Sequence, residues 1–89
     1  MLKRYHFNFK GNVQGVGFRF TLLRIAKSYN CTGYVKNLSD GTVEAQIQGD
    51  SQTIYSIIDK LKASPYIHID DTIKQEIPLL EEKDFRIIY

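Results

Sequence analysis

Residues Gly11 to Arg19 read GNVQGVGFR. They lie between a run that alternates and a run that repeats every three to four residues, so they mark a strand-to-helix connection. Upstream, Lys3 to Lys10 (KRYHFNFK) place Tyr5, Phe7 and Phe9 on one side and Arg4, His6, Asn8 and Lys10 on the other. Period two of this kind predicts a half-buried strand. Downstream, Phe18, Leu22, Ile25, Ala26 and Tyr29 recur at helical spacing with Leu23 alongside. That predicts an amphipathic helix from Phe18 to Tyr29.

The rest of the chain continues the alternation of element types. GYVKNL (Gly33 to Leu38) reads as a strand, Ser39-Asp40-Gly41 as a turn, and TVEAQIQ with Val43, Ala45 and Ile47 on one face as its hairpin partner. Gly49, Asp50 and Ser51 break that strand, and Asp50 or Ser51 can cap a helix from about Gln52 to Ala63 whose stripe is Ile54, Ile57, Ile58 and Leu61. Ser64-Pro65 ends it. Ile67, Ile69, Ile73 and Ile77 suggest a fourth strand of open register, followed by Pro78, an acidic link, and a short closing strand in DFRIIY. The order β-α-β-β-α-β plus one C-terminal strand, with right-handed crossovers, predicts a split β-α-β sandwich. Both helices then lie on one face of a mostly antiparallel sheet with strand order 4-1-3-2.

Eighty-nine residues suit one domain with one core. The hydrophobic share of 43% and charged share of 25% are those of a folded globular chain. Twelve Lys and Arg against ten Asp and Glu, scattered along the sequence, argue against nucleic acid as a partner. No apolar run has signal-peptide or membrane-spanning length, which predicts a cytoplasmic protein without a membrane partner. Cys31 is the only cysteine, so neither an internal disulfide nor a cysteine zinc site can form, and a small partly buried filler is expected. His6 and His68 lack ligand spacing, and Asp70-Asp71 and Glu81-Glu82 read as solvated charges. Tyr5, Phe7 and Phe9 could stack RNA bases, but the third strand has no aromatic to complete such a platform, so a core role is expected.

The opening stretch carries the chemistry. Glycines at 11, 15 and 17 free the backbone to turn successive N–H groups inward, and the helix beginning near Phe18 adds the positive end of its dipole. Arg19 adds a planar fork of donors suited to phosphate oxygens. The plain alternative is a tight turn with a solvated arginine. There is no G-K-[ST] and no dinucleotide pattern, so ATP and NAD are not implied. In the predicted topology the first two strands run parallel, one strand apart. Asn37 therefore ends on the same sheet edge as the loop, roughly 10 Å away, where it can hold a water beside an anion. Its plain alternative is a strand-end turn residue.

VQGVGFR (Val13 to Arg19), GYVKN (Gly33 to Asn37) and DGTVE (Asp40 to Glu44) together resemble the acylphosphatase family, small enzymes that hydrolyse carboxyl-phosphate bonds. The resemblance covers essentially the whole chain. It implies a ferredoxin-like α+β sandwich with neither metal nor organic cofactor. It also implies substrate binding by the backbone of Gln14, Gly15, Val16, Gly17 and Phe18 with Arg19, and catalysis by Arg19 and Asn37. A small-molecule acyl phosphate is the implied partner, with phosphate or sulfate as product-like ligands and a monomeric state. Tyr34 stands where the family usually has Trp, and Thr21 where an aromatic or His is common. The rival expectation is a phosphate-binding or carbamoyl-phosphate-handling module, such as begins the larger hydrogenase-maturation carbamoyltransferases. The chain's end at Tyr89 favours the stand-alone enzyme.

Overall fold

The computed structural model describes residues Met1–Tyr89. Strand β1 spans Leu2–Asn12, helix α1 Phe18–Ser28, β2 Thr32–Asn37, β3 Val43–Asp50, α2 Ser51–Lys62, β4 His68–Ile77 and β5 Phe85–Ile88. One five-stranded sheet runs β4-β1-β3-β2-β5. The four predicted strands stand in the predicted order, and β5 adds to the far edge parallel to β2. The result is the expected ferredoxin-like α+β sandwich.

Alternation in β1 sorts its residues as expected. Tyr5, Phe7 and Phe9 are buried beneath the helices, with the Phe9 ring 5.1 Å from that of Phe18 at the start of α1. Each such side chain stabilises the fold by about 1.5–3 kcal/mol through loss of apolar surface to water. Phe18, Leu22 and Ala26 from α1 and Ile54, Ile57, Ile58 and Leu61 from α2 close the core. Asp50 caps α2 by accepting from the Gln52 amide at 3.1 Å, and Lys60 and Lys62 complement the far end of its dipole. Cys31 is buried against Gly49, and burial, then the nearby Asp50 charge, raises its thiol pKa.

Three details depart from the sequence expectations. Gly11 belongs to β1 and not to the loop. It faces β4 so closely that a Cβ there would collide with the His68 carbonyl and the Asp70 amide. At this point the β1–β4 register shifts, pairing Lys10 with Asp71 but Gly11 with Ile69. The extra residue, Asp70, is a bulge that reverses the side on which later residues fall. Ile69 therefore faces the helices, whereas Ile73 and Ile77 share a face with their partners Asn8 and Arg4.

Arg4 is the second departure. The alternation places it on the helix-free face, yet its side chain is only 1% exposed. Residues 79–82 fold across that face, joined to β3 by the mutual hydrogen bonds of Gln48 with the Leu80 amide and carbonyl. Beneath them the Arg4 guanidinium donates to Glu82 at 2.6 Å and to Gln46 at 2.8 Å. Glu82 is thus the partner of a buried cation, not a solvated charge. The third departure is β3, which continues through Gly49 to Asp50, held by pairing with Lys3 and Leu2.

Candidate active site

β1 and β2 both run antiparallel to β3, so their C-terminal ends meet at one edge of the sheet. The loop after β1 and Asn37 at the end of β2 converge there. Gly15 and Gly17 adopt left-handed φ of 74° and 80°, a region that costs other L-residues roughly 1–2 kcal/mol. A Cβ at either would meet nothing within 4 Å. Their glycine identity therefore serves backbone direction, and the space in front of them stays open.

Gly17 is the N-cap of α1, with no side-chain hydrogen bond to the helix and no acid in the first turn. The first intrahelical donor of this turn is the Thr21 amide, bonded to the Gly17 carbonyl at 3.0 Å. The preceding amides lack helical acceptors, leaving positive partial charge directed into the cleft. Arg19 lies in that first turn. It takes part in none of the ion pairs of the fold, and its guanidinium stacks over the Tyr89 ring at 5.2 Å. Its donor edge is left available to an oxyanion.

Asn37 completes the cleft. Its Oδ1 is buried and accepts no hydrogen bond. An unsatisfied acceptor of this kind costs about 1–3 kcal/mol, and such groups call for an explanation in function or bound water. The turn that follows is tightly held. Asp40 accepts from the Thr42 hydroxyl at 2.6 Å and from the Thr42 amide at 3.0 Å, which lowers its carboxyl pKa. Asn8 donates to the same hydroxyl at 3.0 Å.

Of the residues predicted for the site, Gly15, Gly17, Phe18, Arg19 and Asn37 line one cavity of about 220 Å³ together with Val13 and Phe20. Gln14 and Val16 do not line it. The Gln14 side chain instead donates to the Leu38 and Thr42 carbonyls at 2.8 and 2.9 Å, and Val16 packs against the core. Phe20 was not singled out by the sequence pattern, although an aromatic set off the buried stripe of α1 is a legible sign of an exposed contact. A larger groove of about 650 Å³ lies between Leu2, Gln48 and residues 79–83. Its charged lining is Glu81, Glu82 and Lys83, and it receives no helix N-terminus, so it suits an anion less well.

Other titratable residues lie outside the cleft. His6 pairs with Glu44 at 3.0 Å on the helix-free face, where Glu44 also accepts from the Tyr34 hydroxyl at 3.1 Å. The Glu44 carboxyl is held below its ordinary pKa, first by His6 and also by Tyr34, against the opposing effect of burial. Tyr34 is shifted upward by burial and by Glu44. His68, Asp70 and Asp71 are exposed.

Fold and cleft together define a small α+β sandwich with a cleft of glycines, Arg19 and Asn37 at one edge of its sheet. Residues 5–87 match the family model for acylphosphatase. An acylphosphatase of Clostridium acetobutylicum is 35% identical over 91 aligned positions, covering 100% of both chains. The crystal structure of acylphosphatase from Bacillus subtilis superposes with a TM-score of 0.89 at 35% identity, again over 100% of both. Full-length HypF, in its phosphate- and nucleotide-bound form, matches with a TM-score of 0.90 at 33% identity, covering 100% of this chain and 12% of that one. The chain belongs to the acylphosphatase family.

Proposed function

We propose that this protein hydrolyses the carboxyl-phosphate bond of acyl phosphates. In this reading the phosphoryl group sits on Arg19 and on those amides of the Gln14 to Phe18 loop that open into the cleft, at Gly15, Gly17 and Phe18, and Asn37 orients the attacking water. The carrying observation is the buried, unsatisfied Asn37 Oδ1 in the same cleft as an uncapped helix start and an arginine outside every ion pair of the fold.

The chemistry asks little beyond this. An acyl phosphate leaves a carboxylate behind, a weak base whose departure needs no general acid. The transition state is loose, with charge on the equatorial oxygens, so positioning and electrostatic stabilisation dominate. The Arg19 fork and the loop amides supply both. Asn37 accepts a hydrogen bond from the water through Oδ1 and directs its lone pair at phosphorus, in line with the departing carboxylate oxygen. The water's proton leaves with the phosphate product. No helix is long and apolar enough to cross a membrane. The proposed enzyme acts as a monomer in the cytoplasm.

The test is hydrolysis of acetyl phosphate and benzoyl phosphate in the presence of EDTA, by the wild type, Arg19→Ala and Arg19→Lys. Turnover by the wild type and a loss of about 10²–10³ in both variants are expected, because lysine lacks the fork. Wild-type rates in Arg19→Ala would overturn the assignment. Phosphate binding without turnover would favour the second reading, a phosphate-holding module, which the match to a segment of HypF keeps in view.

A further inference from the structure

The phosphoryl assignment leaves the acyl half of the substrate without a place. We propose that Phe20 is the surface on which the acyl group rests, and that it gives the protein a preference for aromatic over small acyl groups. This proposal depends on the phosphoryl assignment. Phe20 is 64% exposed, although phenylalanine is among the residues most often buried. It lies off the buried stripe of Phe18, Leu22 and Ala26. Exposed apolar residues elsewhere, such as Tyr66 and Leu80, do not share its position: Phe20 lines the cleft with Arg19 and Asn37.

Cavity size points the same way. At about 220 Å³ the cleft is smaller than the roughly 300–1,000 Å³ of pockets that enclose a drug-sized ligand. It can hold a phosphoryl group while the acyl group projects from its mouth. The other apolar side chains of the lining, Val13 and Phe18, are 1% and 2% exposed and offer almost no surface there. Phe20 follows Arg19 directly, its Cα about 3.8 Å further along the chain. Both residues line the same cleft, so the acyl group of a substrate whose phosphoryl end is gripped by Arg19 leaves the cleft beside the phenyl ring. An aromatic acyl group gains both burial and ring-ring contact on such a platform. An acetyl group is too small to cover it.

The test compares kcat/KM for benzoyl phosphate and acetyl phosphate in the wild type, Phe20→Ala and Phe20→Tyr, with circular dichroism to verify folding. Calorimetric binding of phenylphosphonate and methylphosphonate supplies a readout that does not need turnover. Phe20→Ala should lose about tenfold on benzoyl phosphate, chiefly through KM, and less than about twofold on acetyl phosphate. It should lose its preference for phenylphosphonate, and Phe20→Tyr should retain both preferences. An unchanged ratio in Phe20→Ala, equal losses on the two substrates, or equal wild-type affinity for the two phosphonates would each overturn the proposal. Absence of turnover in the wild type would count against the hydrolytic reading alone, since the phosphonate comparison decides the role of Phe20 separately.

Discussion

The side-chain amide of Gln14 donates to the Leu38 carbonyl at 2.8 Å, and the same nitrogen reaches the Thr42 carbonyl at 2.9 Å. The glycine loop and the turn after Asn37 are therefore one braced unit, although they lie far apart in sequence. Removing the brace lets the two sides of the cleft shift relative to each other, and small misplacements of reacting groups are expensive. Gln14→Ala is expected to lower kcat on acetyl phosphate by about tenfold, with a smaller change in the inhibition constant of inorganic phosphate. Steady-state kinetics with phosphate as inhibitor checks this, and an unchanged kcat would remove Gln14 from the positioning of Asn37.

Asn37 offers a test that separates function from stability. Its buried Oδ1 has no partner, so truncation removes an unsatisfied group. Asn37→Ala is expected to lose about 10²–10³ in turnover while holding its stability or gaining up to about 1 kcal/mol. Paired urea denaturation and rate measurements read both quantities. A large loss of stability would mean that the side chain braces the turn.

Glu82 makes the opposite case, with importance for stability and not for catalysis. Its removal leaves the buried Arg4 guanidinium with neutral acceptors only, Gln46 and Gln48. Breaking such a pair from one side costs about 3–5 kcal/mol. Glu82→Ala should approach the lower end of that range in urea denaturation, because some hydrogen bonding survives. The double change Arg4→Met with Glu82→Leu should recover most of the loss, and the turnover of folded protein should remain at the wild-type level.

Acid should act through Glu44, Asp40 and Asp50. All three carboxyls are lowered from their ordinary values: Glu44 first by His6, Asp40 first by the Thr42 hydroxyl, and Asp50 first by the N-terminal ammonium. A carboxylate depressed in the folded state contributes stability that is full above its unfolded pKa and is lost as pH falls through the folded one. Stability should therefore decline from about pH 4 downward. In Glu44→Gln the decline should be shallower, as measured by urea midpoints across that range. An identical slope would show that Glu44 binds protons equally in both states.

Most of the fold was legible because its elements keep clean periods. Tyr5, Phe7 and Phe9 alternate, Ile54, Ile57, Ile58 and Leu61 follow a helical turn, and the order of elements then limits the sheet to few arrangements. The cleft was legible for a related reason, since glycines next to an uncapped helix start and an arginine form a local pattern. What could not be read depends on contacts between distant segments. The burial of Arg4 needs residues 79–82 to cross a face that alternation alone marks as open. The Gln14 brace joins two loops through an amide that has no spacing signal. The isoleucines at 67, 69, 73 and 77 suggest one continuous face, and only the shift beside Gly11 divides those of β4.

That shift has a wider meaning for how the chain finds its alignment. Sliding β4 by one position would bring Ile73 and Ile77 under the helices, an arrangement greasier than the native one. It would also turn Lys74 and Glu76 to the opposite face, giving up the contacts of Lys74 with the Tyr5 and Tyr55 rings and the pairing of Glu76 with Lys3. The native alignment keeps its charges at the wet margin of the sheet, where they hold two tyrosine rings and a lysine that a frame favoured by hydrophobicity alone would leave without partners.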